Sequence, residues 1–419
     1  MSIRSKRHSW NPRYRSVAVA AAAWGLAGPA MARADEPALT RARVVELARA
    51  APAARVAAAE AAVAGAAVTA AGALSLENPV VSGMGGLRLN PDGTRPFSGV
   101  VTLSWPVDLG GQRGARVDAA QAEQRAAAAS AEDTRRRVLL AALLQHALVL
   151  RDERQLAIAE ARRALGQRLA AAAQRRRVAG SAPELDVALT RIQESQDASA
   201  EVAAKGARDV DKASLLALLG SPATDPPVEG SLVPAGDVPP LPALLQAVDQ
   251  RADVRAAAAA LGAARARASR ERAGRWPTIS VLGQYERDDG ANLGLVGVAV
   301  PLPVLNANRA SVATSAAEVG AADARVRVAA GMAEGEIRQL HLRYVAARQA
   351  LDALTPTAAL VKQANDLATR GYELGEGDLA SVLLVRREAV AAEAALIEAE
   401  LALASAKIEL LLAAGRVPR

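Results

Sequence analysis

The hydrophobic pattern of the chain switches between two periods, one typical of helices and the other of strands. Residues 39–74 carry apolar side chains at steps of three and four, which predicts helices, with Pro52 marking a break between two of them. Residues 97–105 alternate with a period of two, which predicts a strand with one apolar face. With the turn residues Pro91, Asp92 and Gly93, this pattern predicts a hairpin with strands at about 79–90 and 96–107.

Two long helices are predicted after this hairpin, at about 112–178 and 184–219. Within the first, residues 115–178 form one helical run that contains a single glycine, Gly166, and extends over about 95 Å. The second carries small and apolar residues at alternating steps of four and three, a spacing that predicts a coiled-coil seam. We call these residues the first seam: Leu185, Leu189, Ile192, Gln196, Ser199, Ala203, Gly206, Val210, Ala213 and Ala217.

The chain is an internal duplication. Three landmarks recur after 195 positions, as the pairs Pro106 and Pro301, Gly180 and Gly375, and Gly220 and Gly415. An interval this long indicates a duplicated half rather than a short repeat. We assign residues 1–34 to a leader, 35–220 and 243–415 to the two halves, 221–242 to a Pro-rich linker, and 416–419 to a tail.

The second half is predicted to have strands at about 277–287 and 292–302 and helices at about 306–374 and 378–414. Each half thus carries one small unclosed sheet. Pro356 is predicted to kink or break the first of these helices. The last helix repeats the heptad spacing in a second seam: Val385, Ala389, Ala392, Leu396, Ala399, Leu403, Ala406 and Leu410.

Composition agrees with a mainly α fold with a small β part. Only 2% of the residues are aromatic, whereas large aromatic side chains usually supply much of a globular core. Alanine dominates, and its single methyl group favours helices that pack closely. We therefore expect internally duplicated, long α-helical hairpins plus two β-hairpins.

The first 34 residues have the pattern of a secretory signal peptide. Basic residues precede an apolar run at residues 17–26, and small residues then favour cleavage after Ala34, or alternatively after Ala32; the other reading is an uncleaved anchor helix. These residues hold six of the 51 Lys and Arg and none of the 44 Asp and Glu, so the processed chain is near +1 (45 − 44). A nucleic-acid partner, which requires a clustered basic surface, is not expected.

Candidate catalytic or cofactor chemistry is absent from the sequence. There is no cysteine, which excludes disulfides, thiolate metal sites and an acylated N-terminal cysteine. His146 and His341 are isolated within helical stretches, and the carboxylates are spread along helix faces. We expect neither an enzyme, nor a cofactor, nor a resident metal.

The aromatic residues gather at the predicted strands. Phe97, Trp105, Trp276 and Tyr285 are four of the six that remain after processing, as expected where strands meet a membrane interface; strand propensity alone is the other explanation. Only a closed barrel can hold strands in lipid, and four strands are too few to close. We therefore predict a barrel shared between several copies of the chain.

The order helix, hairpin and long helical hairpin, repeated once, resembles the TolC-type outer-membrane efflux proteins. The resemblance covers residues 35–415 and is carried by Leu39–Pro79, Trp105–Arg113, Trp276-Pro277 and the turns near Gly180 and Gly375. The segments Glu77–Pro79 and Val300–Asn308 are most similar to the heavy-metal-efflux branch of CzcC-like and CusC-like proteins.

The resemblance implies a homotrimer with a twelve-stranded barrel in the outer-membrane lipid and a periplasmic α-helical barrel. Such a protein is a passive conduit for metal ions or small toxic compounds. Its helical tips contact a periplasmic adaptor (membrane fusion) protein, which connects it to an inner-membrane RND-type pump. By position, the adaptor-contacting tip residues are Val178, Gly180, Ser181, Leu185, Leu374, Gly375, Glu376 and Leu379. In a purely structural reading, the glycines simply end their helices.

The acidic gate of some family members is not reproduced. Their paired aspartates correspond to Ser381 and Leu384 in this chain. The carboxylates that could supply charge at the tunnel end are Glu184, Asp186, Glu373 and Asp378. The alternative function is a soluble periplasmic coiled-coil scaffold, in which both hairpins would be surface features packed on helices.

Overall fold

The computed structural model describes residues 37–418 except 76, 224, 289, 290 and 305, so the predicted signal peptide lies outside the described residues. The first half contains α1 (Arg41–Arg49), α2 (Pro52–Ala71), β1 (Val80–Leu87), β2 (Phe97–Val107), α3 (Gln112–Val178) and α4 (Glu184–Leu219). The second half contains α5 (Leu241–Leu245), α6 (Ala252–Ala273), β3 (Ile279–Asp288), β4 (Ala291–Ala299), α7 (Arg309–Leu374) and α8 (Leu379–Ala413).

The two hairpins form one antiparallel sheet in the order β1-β2-β3-β4. The prediction of a separate sheet in each half is wrong, because β2 pairs with β3 and places Trp105 opposite Val281. Pairing within the chain satisfies the backbone groups of both inner strands. Only the outer edges of β1 and β4 are left for another chain.

The helices form a layer below the sheet, four abreast at two successive levels. Next to the sheet the neighbours are α2, α3, α6 and α7, and farther away they are α4, α3, α8 and α7. Helix α3 runs through both levels, because its 67 residues extend over about 100 Å. The layer is therefore open at α2 and α7 on the upper level and at α4 and α7 on the lower level.

The largest apolar core lies at the middle of this layer, where the first helices meet the long ones. Val44 of α1, Leu143 of α3, Leu215 of α4 and Ile408 of α8 are buried together. A smaller core surrounds Tyr372 near the two helix–helix turns. The layer is thus held at its centre and at its far end.

The linker packs against the helices instead of spanning free space between the halves. Leu39 forms a parallel β-bridge with Val228. The ammonium group of Lys407 on α8 donates hydrogen bonds to the carbonyl oxygens of Pro234, at 2.7 Å, and Gly236, at 2.5 Å. The Pro-rich linker is therefore fastened to both halves.

Two long helices are continuous through residues that could interrupt them. Helix α7 runs through Pro356, so a break there is wrong, while a kink at Pro356 stays a prediction. The preceding residue, Thr355, donates its hydroxyl hydrogen to the carbonyl oxygen of Leu351 at 2.8 Å. Helix α3 likewise passes through Gly166 without a break.

The helical stretch Arg41–Ala71 is long and apolar enough to span a membrane by length and composition alone, and most of it is exposed within the chain. The stretch is divided between α1 and α2, with Pro52 at the first position of α2 as its sequence predicts. Its apolar character comes mostly from alanines at the open edge of the helical layer.

Candidate functional site

The two helix–helix turns farthest from the sheet have the same backbone geometry. Gly180 and Gly375 have φ angles of +76° and +87°, a conformation that glycine adopts without steric cost. The amide of Ser181 donates to the carbonyl oxygen of Arg176, and the amide of Glu376 donates to that of Gly371, at 2.8 and 2.9 Å. Both turns are therefore Schellman motifs that end a long helix.

The predicted tip residues fall into an exposed group and one buried residue. Val178, Leu185 and Leu374 are large apolar side chains left exposed at the turns. Leu379 is buried against Leu169 and Val382, so in this conformation it is not available to a partner. The remaining predicted tip residues are exposed: Gly180, Ser181, Gly375 and Glu376.

Tyr372 and Arg176 lie beneath the tips and were not singled out by the sequence patterns. The guanidinium of Arg176 lies 4.7 Å from the centre of the Tyr372 ring. It also donates to the backbone carbonyl oxygens of Tyr372 and Gly377, at 3.2 and 3.5 Å. Burial, followed by the charge of Asp186, raises the pKa of the Tyr372 hydroxyl. This contact joins α3 to the turn between α7 and α8.

The four predicted tunnel-end carboxylates have different environments. Glu184 forms an exposed ion pair with Arg177 at 3.2 Å, Asp186 is half-buried and Glu373 is exposed. Asp378 caps the N-terminus of α8 by accepting a hydrogen bond from the Ser381 amide at 2.7 Å. Hydrogen bonds from Ser381 hold the pKa of Asp378 below its ordinary value. Asp378 thus has a structural role as a helix cap.

The first seam faces away from the rest of the chain. All ten of its residues are exposed, including Ile192 and Val210, the latter at 65%. By contrast, the second seam on α8 is buried or half-buried throughout. The heptad pattern of α4 therefore has no partner among the described residues of its own chain.

Helix α7 carries a matching exposed stripe on the opposite open edge. We call it the α7 seam; its residues are separated by alternating steps of three and four and all are exposed: Ala346, Gln349, Ala353, Pro356, Leu360, Gln363, Leu367, Arg370 and Leu374. Nine residues of the first seam, from Leu189 to Ala217, cover the same length of helix. Two complementary coiled-coil surfaces thus lie at the two open edges of one layer.

The sheet separates apolar and polar side chains between its two faces. Val101, Leu103 and Trp105 are exposed on one face, while Thr102 and Ser104 belong to the other. Phe97 and Trp105 lie eight residues apart on β2, about 27 Å along the strand. This distance is close to the ~25 Å apolar band of membrane barrels, which aromatic girdles flank.

Tyr285 and Trp276 belong to the second hairpin and differ in their placement. Tyr285 lies on β3 opposite Val101, on the apolar face, and its hydroxyl donates to the side-chain oxygen of Asn292 at 2.8 Å. Trp276 lies just before β3, against the backbone of Gly110. All four predicted girdle aromatics are exposed.

A buried ion pair joins the two helical hairpins midway along the lower level. The guanidinium of Arg386 on α8 lies 2.5 Å from the carboxylate of Asp197 on α4, and both side chains are almost fully buried. The carboxylate lies over α3 at Gly166, where a Cβ atom would come within 2.5 Å of it. Glycine at position 166 therefore gives the carboxylate the room it needs.

Within the described part of the chain, no group of three or more His, Asp and Glu residues is placed to hold a metal ion. The carboxylates that cross between helices are instead paired with arginines. Arg162 and Arg154 of α3 contact Glu393 and Glu400 of α8.

A sheet with one apolar face, two open edges and a long helical layer defines the wall of an outer-membrane channel. The chain belongs to the outer membrane efflux protein family, whose family model matches residues 33–221 and 243–416. Members of this family form trimeric outer-membrane channels with a β-barrel and a periplasmic helical barrel. The soluble scaffold alternative is not favoured.

Individual relatives agree with this assignment. The chain is 26% identical over 294 residues to the cobalt-zinc-cadmium resistance protein CzcC of Cupriavidus metallidurans, covering 68% of this chain and 69% of that protein. The crystal structure of CusC has a TM-score of 0.75 at 19% identity, covering 90% of this chain and 92% of CusC. The Vibrio cholerae VceC structure has a TM-score of 0.73 at 18% identity, covering 90% and 96%.

Proposed function

We propose that this chain forms a homotrimeric outer-membrane conduit that exports divalent metal ions received from a periplasmic adaptor and an inner-membrane RND-type pump. The observation that carries this proposal is the presence of open edges at every level of the molecule. The sheet is open at β1 and β4, the upper helices at α2 and α7, and the lower helices at α4 and α7.

Closure by a second and third copy explains these edges. Strand β4 of one protomer would pair with β1 of the next, which gives twelve strands and satisfies the exposed backbone groups. The α7 seam would pack on the first seam of the neighbour as an antiparallel coiled coil. Each copy thus supplies one third of a continuous wall.

Metal ions are proposed as cargo because the name of CzcC describes resistance to cobalt, zinc and cadmium. In this arrangement the conduit does not hold the ion, and the pump selects it. The exposed apolar side chains at the tips, Val178, Leu185 and Leu374, are proposed to dock the adaptor. Apolar side chains clustered at an exposed end are typical of a protein-binding surface.

Metal export by cells tests the docking proposal. Cells that lack their own outer-membrane component but retain the pump and adaptor would express this chain, and their zinc content would be measured. The variants Val178→Asp and Glu376→Lys change the charge at exposed tip residues that belong to neither seam, and should return zinc to the level of cells without the chain. Val202→Asp, which changes an exposed side chain of α4 away from the tips, should leave export intact.

Conductance of the purified protein separates docking from conduction. The tip variants should reach the outer membrane in normal amounts and retain wild-type conductance in planar bilayers. Normal export by both tip variants would overturn the docking proposal. A protein that inserts but never conducts would overturn the conduit itself.

A further inference from the structure

The edge of the sheet next to the helices, here called the helix-side rim, is rich in arginine. Arg272 lies in the last turn of α6, Arg275 lies between α6 and β3, and Arg309 begins α7. All three side chains are exposed. Among the residues that the structure describes, none of the three has a carboxylate within ion-pair distance, whereas Arg270 nearby is paired with Glu271 at 2.9 Å.

Two tryptophans lie at the same rim. Trp105 is 49% exposed near the end of β2, and Trp276 is 62% exposed directly before β3. Trp276 packs on the turn after β2, where a Cβ atom on Gly110 would approach its ring within 2.7 Å. Exposed tryptophans at the end of a membrane barrel mark the depth of the lipid headgroups. The unpaired arginines and the headgroups therefore share one level.

The opposite rim of the sheet has no comparable excess of positive charge among the described residues. Arg88 is paired with Asp288 at 2.7 Å. Arg95 and Arg287 at this rim are not in such an ion pair, but each has an acidic neighbour in the sequence. Arg95 lies in the same loop as Asp92, and Arg287 follows Glu286. The basic surface is thus confined to the helix-side rim, which in this family faces the periplasmic leaflet of the outer membrane.

We propose that Arg272, Arg275 and Arg309 form a binding surface for the phosphate headgroups of anionic phospholipids in the periplasmic leaflet. The proposal rests on the membrane-inserted trimer proposed above, in which the surface occurs three times. A guanidinium donates paired hydrogen bonds that match the oxygens of a phosphate group. Each arginine near an anionic surface favours the anionic lipid about fivefold.

Tryptophan fluorescence provides the test, because the chain carries its own probes. Of its four tryptophans, Trp10 and Trp24 lie in the predicted signal peptide, and the other two lie at the helix-side rim. The trimer would be reconstituted with brominated phosphatidylglycerol or brominated phosphatidylcholine, each of which quenches nearby indoles. The wild-type protein should bind the anionic lipid more tightly by an order of magnitude or more.

Two double variants, one at each rim of the sheet, test the contribution of the helix-side rim. Arg272→Gln combined with Arg275→Gln should reduce the preference for phosphatidylglycerol at least tenfold. Arg95→Gln combined with Arg287→Gln removes the same charge from the opposite rim and should leave the preference unchanged. If both double variants lose the preference for phosphatidylglycerol equally, or if the first double variant keeps it, the proposal is overturned.

Competition with free phosphate and a comparison of the two lipids separate the remaining outcomes. Inorganic phosphate at the lipid concentration should not relieve quenching by phosphatidylglycerol; relief would assign the arginines to free anions and overturn the lipid proposal. Quenching by both lipids without any preference would also overturn it, while leaving the membrane-inserted barrel intact. Absence of quenching by either lipid would contradict the barrel itself.

Discussion

The buried ion pair between Asp197 and Arg386 allows a sharp prediction about stability. In Asp197→Ala the guanidinium of Arg386 stays buried and loses the one carboxylate that the described residues place within 4.0 Å of it. Removing one partner of a buried pair costs about 3–5 kcal/mol, because the remaining charge is neither solvated nor compensated. Replacing both partners, as Asp197→Leu with Arg386→Met, should recover most of this loss.

Gly166, which lies beneath the ion pair, allows a second prediction about stability. In the native chain Gly166→Ala places a methyl group 2.5 Å from the carboxylate oxygen of Asp197 and should destabilise the protein. In the Asp197→Ala background this clash is absent, and alanine is favoured over glycine in a helix by about 1 kcal/mol. The same substitution should therefore change the sign of its effect.

Denaturant unfolding of the detergent-solubilised protein, followed by circular dichroism, measures these differences. The four proteins of the cycle are the native chain, Gly166→Ala, Asp197→Ala and the double variant. If Asp197→Ala lowers the free energy of unfolding by less than about 1 kcal/mol, the prediction is wrong, since a buried unpaired charge costs more than that. An equal effect of Gly166→Ala in both backgrounds would refute it as well.

Three further predictions concern titration and the open edge. Burial, then a hydrogen bond that the protonated carboxyl donates to Asp211, raises the pKa of Asp152 from 3.8 to about 6. The folded state then binds more protons than the unfolded state, so stability should fall as pH rises from 3.8 to about 6, and Asp152→Asn should remove this fall. Burial lowers the pKa of His146 from 6.5 to about 4. Stability should therefore fall as pH drops from 6.5 towards 4, by up to about 3 kcal/mol. In thermal melts recorded as a function of pH, His146→Gln should flatten this part of the profile. Ile192→Glu, on the first seam, should leave the monomer folded by circular dichroism but abolish the SDS-resistant trimer, whereas Arg191→Glu beside it should not.

Sequence periodicity was sufficient to predict the long helices and the four strands. Helices α3 and α4 have the bounds expected from the heptad spacing and from the turn at Gly180, since local spacing alone determines them. Two strands end earlier than expected, β1 at Leu87 and β4 at Ala299, whereas β2 ends at Val107 as expected. Turn residues mark where strands reverse, but the last ladder hydrogen bond depends on the partner strand.

The contacts between the halves could not be read from the sequence. Asp197 and Arg386 are 189 residues apart, and no local pattern pairs them. The only sequence signal was Gly166, because a glycine inside a long helix is unfavourable unless another group needs its space. Tyr372 and Arg176 gave no signal at all, since their contact depends on how two helical hairpins pack side by side.

The two seams also show what sequence spacing could not determine, which is the helix that covers each of them. The spacing correctly identified an apolar stripe on α4 but could not determine which helix covers it. Gln349, Gln363 and Arg370 obscured the matching stripe on α7, because polar residues interrupt its pattern. Burial in the folded chain, which is high on α8 and low on α4 and α7, was needed to assign these surfaces to a neighbour.

Cysteine cross-linking across the open edge shows whether the first seam of one protomer packs on the α7 seam of the next, because the native chain has no cysteine. Ser199 lies 15 residues from the start of α4 at Glu184, and Leu360 lies 14 residues from the end of α7 at Leu374 (199 − 184 and 374 − 360). Ser199→Cys combined with Leu360→Cys or with Gln363→Cys should form disulfides between protomers and yield a covalent trimer on non-reducing gels. Ser199→Cys combined with Leu384→Cys on α8 should not, and a chain that remains monomeric with both seam pairs would contradict the account.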